Sequence, residues 1–212
     1  MLLQIFETLT DNKMKRVKFI TVLLLCFCIF GCKDKIFEED NNVYGNVQVG
    51  EKVPDFSVTM NDGTKVSNQD LIGYNSLIMF FNVDCGDCKK ELPIVNTFYK
   101  EHQNDADFKV VCISREQTQL ESIPKFWQEN NLVLPYSPQD TRTIYNIFAK
   151  NIIPRLYFCN KSGKVVSMFS DNTEYTYLDT EKNVALSGTL AQKMASVNDL
   201  NNALELTRNS NN

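Results

Sequence analysis

The sequence predicts an α/β domain with a central mixed β-sheet flanked by helices. An apolar run at 76–83 is followed directly by a helical pattern at 88–102, which is the order of a buried strand and a helix packed on it. Strand-like and helix-like segments continue to alternate, and two strand-like segments joined by a turn follow at 155–169. This succession is typical of a mixed sheet with helices on its faces.

The predicted elements run from a hairpin to a closing helix. Asp62-Gly63 tolerates the backbone of a tight turn, so an extra N-terminal β-hairpin is predicted from strands at 56–60 and 64–67. The run at 76–83 is apolar almost throughout, as expected for a strand buried on both faces. We predict the other elements as a turn or short helix at 68–71, a helix at 88–102, a strand at 108–114, helices at 118–130 and 141–150 with a loop from Tyr136 between them, strands at 155–159 and 164–169, and a helix at 190–206. The polar segment 170–188 has no usable periodicity.

Length and composition are those of a globular protein. The chain has 212 residues, of which 43% are hydrophobic and 23% charged, enough apolar mass for one domain with a proper core. The formal net charge is -4 and the basic side chains form no stripe. Both features argue against a nucleic-acid partner.

The first 31 residues have the layout of a bacterial signal peptide. Four basic side chains between 13 and 18 precede a 12-residue apolar run at 19–30, which is short for a membrane span. Gly31-Cys32 resembles a lipobox, so Cys32 is the predicted lipidation site; ordinary cleavage and an uncleaved anchor are the alternatives. We therefore expect a lipid-anchored protein of the bacterial cell envelope, on a periplasmic face or the outer-membrane surface. The predicted boundaries are 1–31 signal peptide, 32–48 tether, 49–207 folded domain and 208–212 disordered tail.

Cys85 and Cys88 lie where the apolar strand passes into the helix. Free N–H groups at a helix N-terminus favour a thiolate, which predicts Cys85 as a nucleophile and Cys88, one turn into the helix, as the resolving thiol. The neighbouring carboxylates of Asp84 and Asp87 act in the opposite direction. A static disulfide is an alternative. A zinc site is disfavoured because it would need two further cysteines from the middle of strands.

The chain resembles the thioredoxin superfamily, specifically the TlpA/ResA-like thiol–disulfide oxidoreductases, over roughly residues 49–170. Four segments carry the resemblance: Gly50-Glu51-Lys52-Val53-Pro54-Asp55-Phe56, the Cys-x-x-Cys of Cys85 and Cys88, Lys89-Lys90-Glu91-Leu92-Pro93, and Ile153-Pro154 before a strand. The resemblance implies a thioredoxin fold with extra N-terminal strands, no metal or other cofactor, and reduction or exchange of disulfides in exported proteins.

The resemblance also implies roles for single residues. Glu91 matches the family's acid near the thiols, which moves protons, and Pro154 matches its cis-proline. Ile153 would then offer backbone hydrogen bonds to a peptide partner. One position departs from the family: Asp84 stands where a tryptophan usually precedes the first cysteine, so the substrate would meet a carboxylate instead of an aromatic surface.

We therefore expect an exported, membrane-anchored thiol–disulfide oxidoreductase that works as a monomer. Its partners would be disulfide-containing exported proteins and a thiol electron donor. Two alternatives stay open. A peroxiredoxin-like peroxidase would expect Thr three residues before its cysteine, where Asn82 stands. A redox-inert binding module on the cell surface would keep the fold and hold the thiols as an inert disulfide.

Overall fold

The structure, a computed structural model, describes residues 46–116, 120–170 and 173–211. The predicted signal peptide, the lipidation site Cys32 and the tether up to residue 45 lie outside the described residues. Within the described part of the chain, none of the helices combines the length and apolarity that a membrane span requires.

Nine strands and five helices follow one another in the described ranges. The strands are β1 (Ser57–Thr59), β2 (Lys65–Ser67), β3 (Asn75–Phe81), β4 (Phe108–Ser114), β5 (Tyr136–Ser137), β6 (Arg155–Cys159), β7 (Val165–Ser170), β8 (Glu174–Asp179) and β9 (Val184–Thr189). The helices are α1 (Asn68–Leu71), α2 (Gly86–His102), α3 (Ser122–Glu129), α4 (Thr143–Phe148) and α5 (Val197–Asn209).

Seven of these strands form one mixed sheet in the order β5-β4-β3-β6-β7-β8-β9, and β1 and β2 pair separately as an antiparallel hairpin. The β3–β4 and β4–β5 pairs are parallel, and the remaining pairs of the large sheet are antiparallel. The predicted fold class, a mixed sheet flanked by helices with an extra N-terminal hairpin, is therefore confirmed.

Strand β3 is the centre of the core, because large rings pack on both of its faces. Phe80 lies with its ring centroid 5.4 Å from that of Tyr145 and 4.8 Å from that of Phe148, both on α4. Phe81 points to the opposite face, where its ring lies 5.1 Å from that of Trp127 on α3. The carboxyl end of β3 is thus held from two sides, and it positions the residues that follow.

Three strands bring their ends to the same edge of the sheet. Phe81, the last residue of β3, pairs in parallel with Ser114, the last residue of β4. On the other side Phe80 pairs in antiparallel fashion with Arg155, the first residue of β6. The segments after β3 and β4 and the segment before β6 therefore meet at one edge.

The structure differs from the sequence prediction in the segment 170–188. This segment contains β8 and most of β9, and neither strand was predicted. Strand β9 is an edge strand with almost no buried residue, so it lacks an alternating pattern. Gly188 of β9 lies under the ring of Tyr175, and a Cβ at that position would collide with the ring. Tyr175 in turn stacks on Phe169 of β7 at 5.1 Å.

The ends of the domain also differ from the predicted boundaries. Val47, predicted to belong to the tether, is buried, and its N–H donates to the carbonyl of Phe148 at 2.9 Å. The closing helix begins at Val197 rather than 190, where Ser196 and Asp199 form a capping box. Residues 190–196 are therefore left to form a connecting segment after β9. The predicted loop from Tyr136 is also wrong at its start, because Tyr136 and Ser137 pair with β4 as the short strand β5.

The predicted disordered tail at 208–212 is corrected as far as residue 211. Arg208 continues the helix and donates to Asp105 at 2.7 Å and to Asp107 at 2.9 Å. The side chain of Asn211 donates to that of Asn75 at 2.8 Å. These bonds attach the helix end to the segment between α2 and β4 and to the start of β3, which the local sequence of the tail could not indicate.

The Arg208 ion pairs predict an acid-dependent contribution to stability. Hydrogen bonds from Arg208 hold the pKa of Asp105 and of Asp107 below the usual value. A lowered pKa in the folded state stabilises the fold above the ordinary carboxyl pKa, and the effect is lost as the pH falls through the lowered value. We expect Arg208→Gln to reduce the free energy of unfolding by about 1 kcal/mol at pH 7, since the pairs are partly exposed.

Urea unfolding of the wild-type protein and Arg208→Gln, at pH 7 and in steps below pH 4, measures the difference between their free energies of unfolding. It should shrink towards zero as both carboxyl groups become protonated. Lys125→Gln is the matched control, because its pair with Glu129 spans 3.8 Å between well-exposed side chains and should contribute less. A deficit of Arg208→Gln that stays constant at every pH would show that packing, and not the ion pairs, is responsible.

Candidate active site

A tight turn joins β3 to α2 and presents Cys85 at the start of the helix. The side chain of Asn82 accepts the N–H of Asp84 at 2.7 Å, and the carbonyl of Asn82 accepts the N–H of Cys85 at 3.1 Å. Cys85 itself is the N-cap residue with extended backbone, and its carbonyl accepts the N–H of Lys89 at 3.0 Å. The thiol of Cys85 therefore lies beside the free N–H groups of the first helical turn.

The two thiols differ in accessibility. Cys85 is half-buried, whereas Cys88 is completely buried one turn into α2, and both are free thiols. Burial raises the pKa of Cys88 far above its usual value, although the backbone at Asn82 and the charge of Arg115 act to lower it. At neutral pH Cys88 is thus a protonated thiol behind the accessible Cys85.

The segment before β6 forms the wall opposite Cys85. The Ile153-Pro154 peptide bond is cis, and both residues are buried. The carbonyl of Ile153 accepts the thiol of Cys85 at 3.7 Å between sulfur and oxygen. Residues that are 68 positions apart in the chain are thus in contact at this edge of the sheet.

The acidic residues named from the sequence occupy different environments. Glu91 is only 2% exposed and lies one turn after Cys88 on the same face of α2. Asp84 is exposed next to Cys85. Asp87, between the two cysteines, forms an ion pair with Lys193 at 3.0 Å and with Lys90 at 3.5 Å.

Three residues near the thiols were missed by the sequence analysis. Lys193 reaches Asp87 from the segment after β9, and nothing in the sequence signals a contact over 106 positions. Tyr145 of α4 donates its hydroxyl to the carbonyl of Ile152 at 2.9 Å. Arg115 directly follows β4, and its position could have been inferred, because the carboxyl ends of adjacent parallel strands meet at one edge.

The other two cysteines of the domain are not part of this arrangement. Cys112 lies in the middle of β4, and Cys159 pairs with Ser76 at the opposite end of β3. Burial raises the pKa of both thiols, for Cys159 to about 12. Across the ranges that the structure describes, no group of three or more His, Cys, Asp or Glu side chains could hold a metal ion.

Comparison with known proteins finds the same kind of protein. Residues 49–168 match the model of the AhpC/TSA family. A thiol-disulfide oxidoreductase ResA from Bacillus cereus is 24% identical over 157 residues, which cover 73% of this chain and 87% of the relative. A ResA from Oceanobacillus iheyensis is 25% identical over 163 residues, 73% of this chain and 82% of the relative.

Solved structures agree on the fold. The solution structure of a putative protein disulfide isomerase from Bacteroides thetaiotaomicron has a TM-score of 0.55 and 28% identity, covering 58% of this chain and 79% of that one. The crystal structure of StoA from Bacillus subtilis has a TM-score of 0.52 and 21% identity, covering 74% and 100%.

The fold and these relatives, together with two thiols at a strand–helix junction, define the class of protein: a thioredoxin-like thiol–disulfide oxidoreductase. The match over residues 49–168 shows that the chain belongs to the AhpC/TSA family.

Proposed function

We propose that this protein reduces or exchanges disulfides of exported proteins through Cys85 and Cys88. One observation carries the proposal: the accessible Cys85 thiol lies at the start of α2, 3.7 Å from the Ile153 carbonyl, with Cys88 buried directly behind it. An accessible nucleophile, a protected second thiol and an adjacent backbone segment that can receive a peptide are the parts that dithiol exchange needs.

The reaction proceeds in two exchanges that transfer two electrons. The Cys85 thiolate attacks one sulfur of the substrate disulfide, so that a Cys85–substrate S–S bond forms and the other substrate sulfur leaves as a thiolate that takes up a proton. The Cys88 thiolate then attacks the Cys85 sulfur. The Cys85–Cys88 disulfide forms, the second substrate thiol leaves, and an external thiol donor later restores both cysteines.

The other site residues named from the sequence have proposed roles in these steps. Glu91, buried one turn from Cys88, accepts the proton of that thiol before the second exchange. Pro154 keeps the backbone before it against Cys85, and Ile153 offers its backbone groups to the peptide that carries the disulfide. Asp84, exposed beside Cys85, contacts the partner next to the nucleophile and favours substrates that have no carboxylate near the attacked disulfide.

The cellular setting is part of the same proposal. The signal-like residues 1–31 and the lipobox-like Gly31-Cys32 would export the protein and attach it to a membrane of the bacterial cell envelope by lipid at Cys32. Residues 33–45 would then act as a tether that lets the domain, as a monomer, meet exported proteins. Such a compartment is oxidising, so disulfide substrates are available.

Insulin reduction by the full chain tests the proposed activity. With dithiothreitol as donor, the wild-type protein should accelerate the reduction of insulin disulfides, and Cys85→Ser/Cys88→Ser should fall to the uncatalysed rate. Cys112→Ala is the matched control, since this buried thiol takes no part and should leave the rate close to wild type. The same samples are assayed for consumption of hydrogen peroxide.

Each result separates the proposal from its competitors. Rapid peroxide consumption with poor insulin reduction would identify a peroxidase instead. Equal, background-level rates for the wild-type protein and the double variant would identify a redox-inert binding module.

A further inference from the structure

Ile152 has a backbone conformation that its side chain disfavours. Its φ is 72°, in the left-handed region. In the described part of the chain, the other residues with positive φ, glycines aside, are Asn131 at 51° and Asn183 at 52°. Asparagine tolerates this conformation, whereas a β-branched residue there is a genuine outlier. Isoleucine at this position therefore requires an explanation.

Burial of the side chain does not supply one. Ile152 is 51% exposed, so half of its apolar surface stays in water. Large apolar residues that are exposed in the described ranges are Ile72, Val133, Ile152, Val184, Leu186 and Leu206. Ile152 alone among them adjoins the candidate active site, because the others lie after α1, after α3, on β9 or on α5.

A side chain of the core holds the backbone of Ile152 by a hydrogen bond. Tyr145 is fully buried with its ring 5.4 Å from that of Phe80, and its hydroxyl donates to the Ile152 carbonyl at 2.9 Å. Burial raises the pKa of Tyr145 above its usual value, so the phenol keeps its proton and remains a donor at neutral pH. The strained residue is thus anchored through its backbone while its side chain remains outside.

Ile152 directly precedes the residue that contacts the candidate nucleophile. The next residue, Ile153, contacts the Cys85 thiol through its carbonyl at 3.7 Å, and consecutive Cα atoms are about 3.8 Å apart. The acidic residues close to Cys85 in the chain are polar instead: Asp84 is exposed, and Asp87 is paired with Lys193. Ile152 is therefore an exposed apolar residue next in the chain to the residue that contacts the nucleophile.

We propose that Ile152 is a specificity-determining residue that contacts an apolar side chain beside the cysteine of the disulfide substrate. The inference rests on the proposed function and narrows its substrate class to disulfides with an apolar neighbour. Backbone strain kept without compensating burial is characteristic of residues that serve binding. Burying the exposed half of an isoleucine against such a neighbour corresponds to about a tenfold gain in kcat/KM.

Two synthetic peptides test the inference, each with one intramolecular disulfide and identical except for Leu or Ser next to the attacked cysteine. With dithiothreitol as donor, wild-type protein should reduce the Leu peptide with about tenfold higher kcat/KM than the Ser peptide. Ile152→Asn keeps a residue that accepts the left-handed backbone but removes the apolar surface, so the ratio should fall to about one. Val133→Asn, which changes a residue 52% exposed away from the site, should keep the wild-type ratio.

Urea unfolding of the same proteins separates binding from stability. The midpoint of Ile152→Asn should equal or exceed that of wild type, because the strain is relieved. A lower midpoint would assign the side chain to fold stability and overturn the inference. Equal rates of wild type on both peptides, or an unchanged ratio in Ile152→Asn, would overturn it while leaving the proposed function intact. If wild type reduced neither peptide nor insulin, the proposed function itself would fail.

Discussion

Cys88→Ser is expected to accumulate as a mixed disulfide between Cys85 and its substrate. Cys85 remains accessible and can make the first attack, but the thiol that releases the second half of the substrate is missing. Release then depends on a donor thiol from solution in place of a neighbour held one helical turn away. Because such a neighbour has a very high effective concentration, multiple-turnover reduction should fall by about 100-fold or more.

Mass spectrometry of the protein mixed with a peptide disulfide measures the trapped species directly. Cys85→Ser is the matched control: it should trap no substrate and lose at least ~10³-fold in turnover, as expected when a nucleophile is removed. The opposite pattern, with the adduct on Cys88 in the Cys85→Ser protein, would reverse the assigned order of the thiols. That order would be the opposite of the one expected from the burial of Cys88 and from the position of Cys85 at the start of α2.

Glu91→Gln is expected to slow the second exchange by about 100-fold or more, because a positioned base contributes about 10²–10⁴ to a proton transfer. The reason lies in Cys88, whose pKa is raised by burial, so its thiol must lose a proton before it can attack. In the proposed mechanism Glu91, one turn along the same helix face, takes that proton. Glutamine keeps the size of the side chain and removes this capacity.

The pH dependence of the second exchange distinguishes this role from a structural one. Below a raised thiol pKa, the thiolate fraction grows about tenfold per pH unit. In Glu91→Gln the rate should therefore rise steeply from pH 7 to 9, while the wild-type rate rises less. Glu205→Gln, on the exposed face of α5, is the matched control and should behave as wild type. A uniform loss at every pH, with a lower unfolding midpoint, would assign Glu91 to stability.

Local patterns in the sequence were sufficient for the central part of the fold. The apolar run of β3, the helical spacing of α2 and the Asp62-Gly63 turn each depend on neighbours within a few positions, and each was predicted within two residues of its observed bounds. The two cysteines could be located between strand and helix for the same reason. By contrast, β9 could not be predicted, because an exposed edge strand has no buried face to create an alternating apolar pattern.

The sequence by itself determined the position of the two candidate reactive thiols, which lie three positions apart between a buried strand and a helix. Only the tertiary structure decided what surrounds them. The mixed sheet brings Ile153 to Cys85 over 68 positions and Lys193 to Asp87 over 106, and Tyr145 of α4 holds the backbone of Ile152 by a hydrogen bond. Such contacts depend on which strands are adjacent, and strand order is set by packing across the whole domain, which no local pattern records.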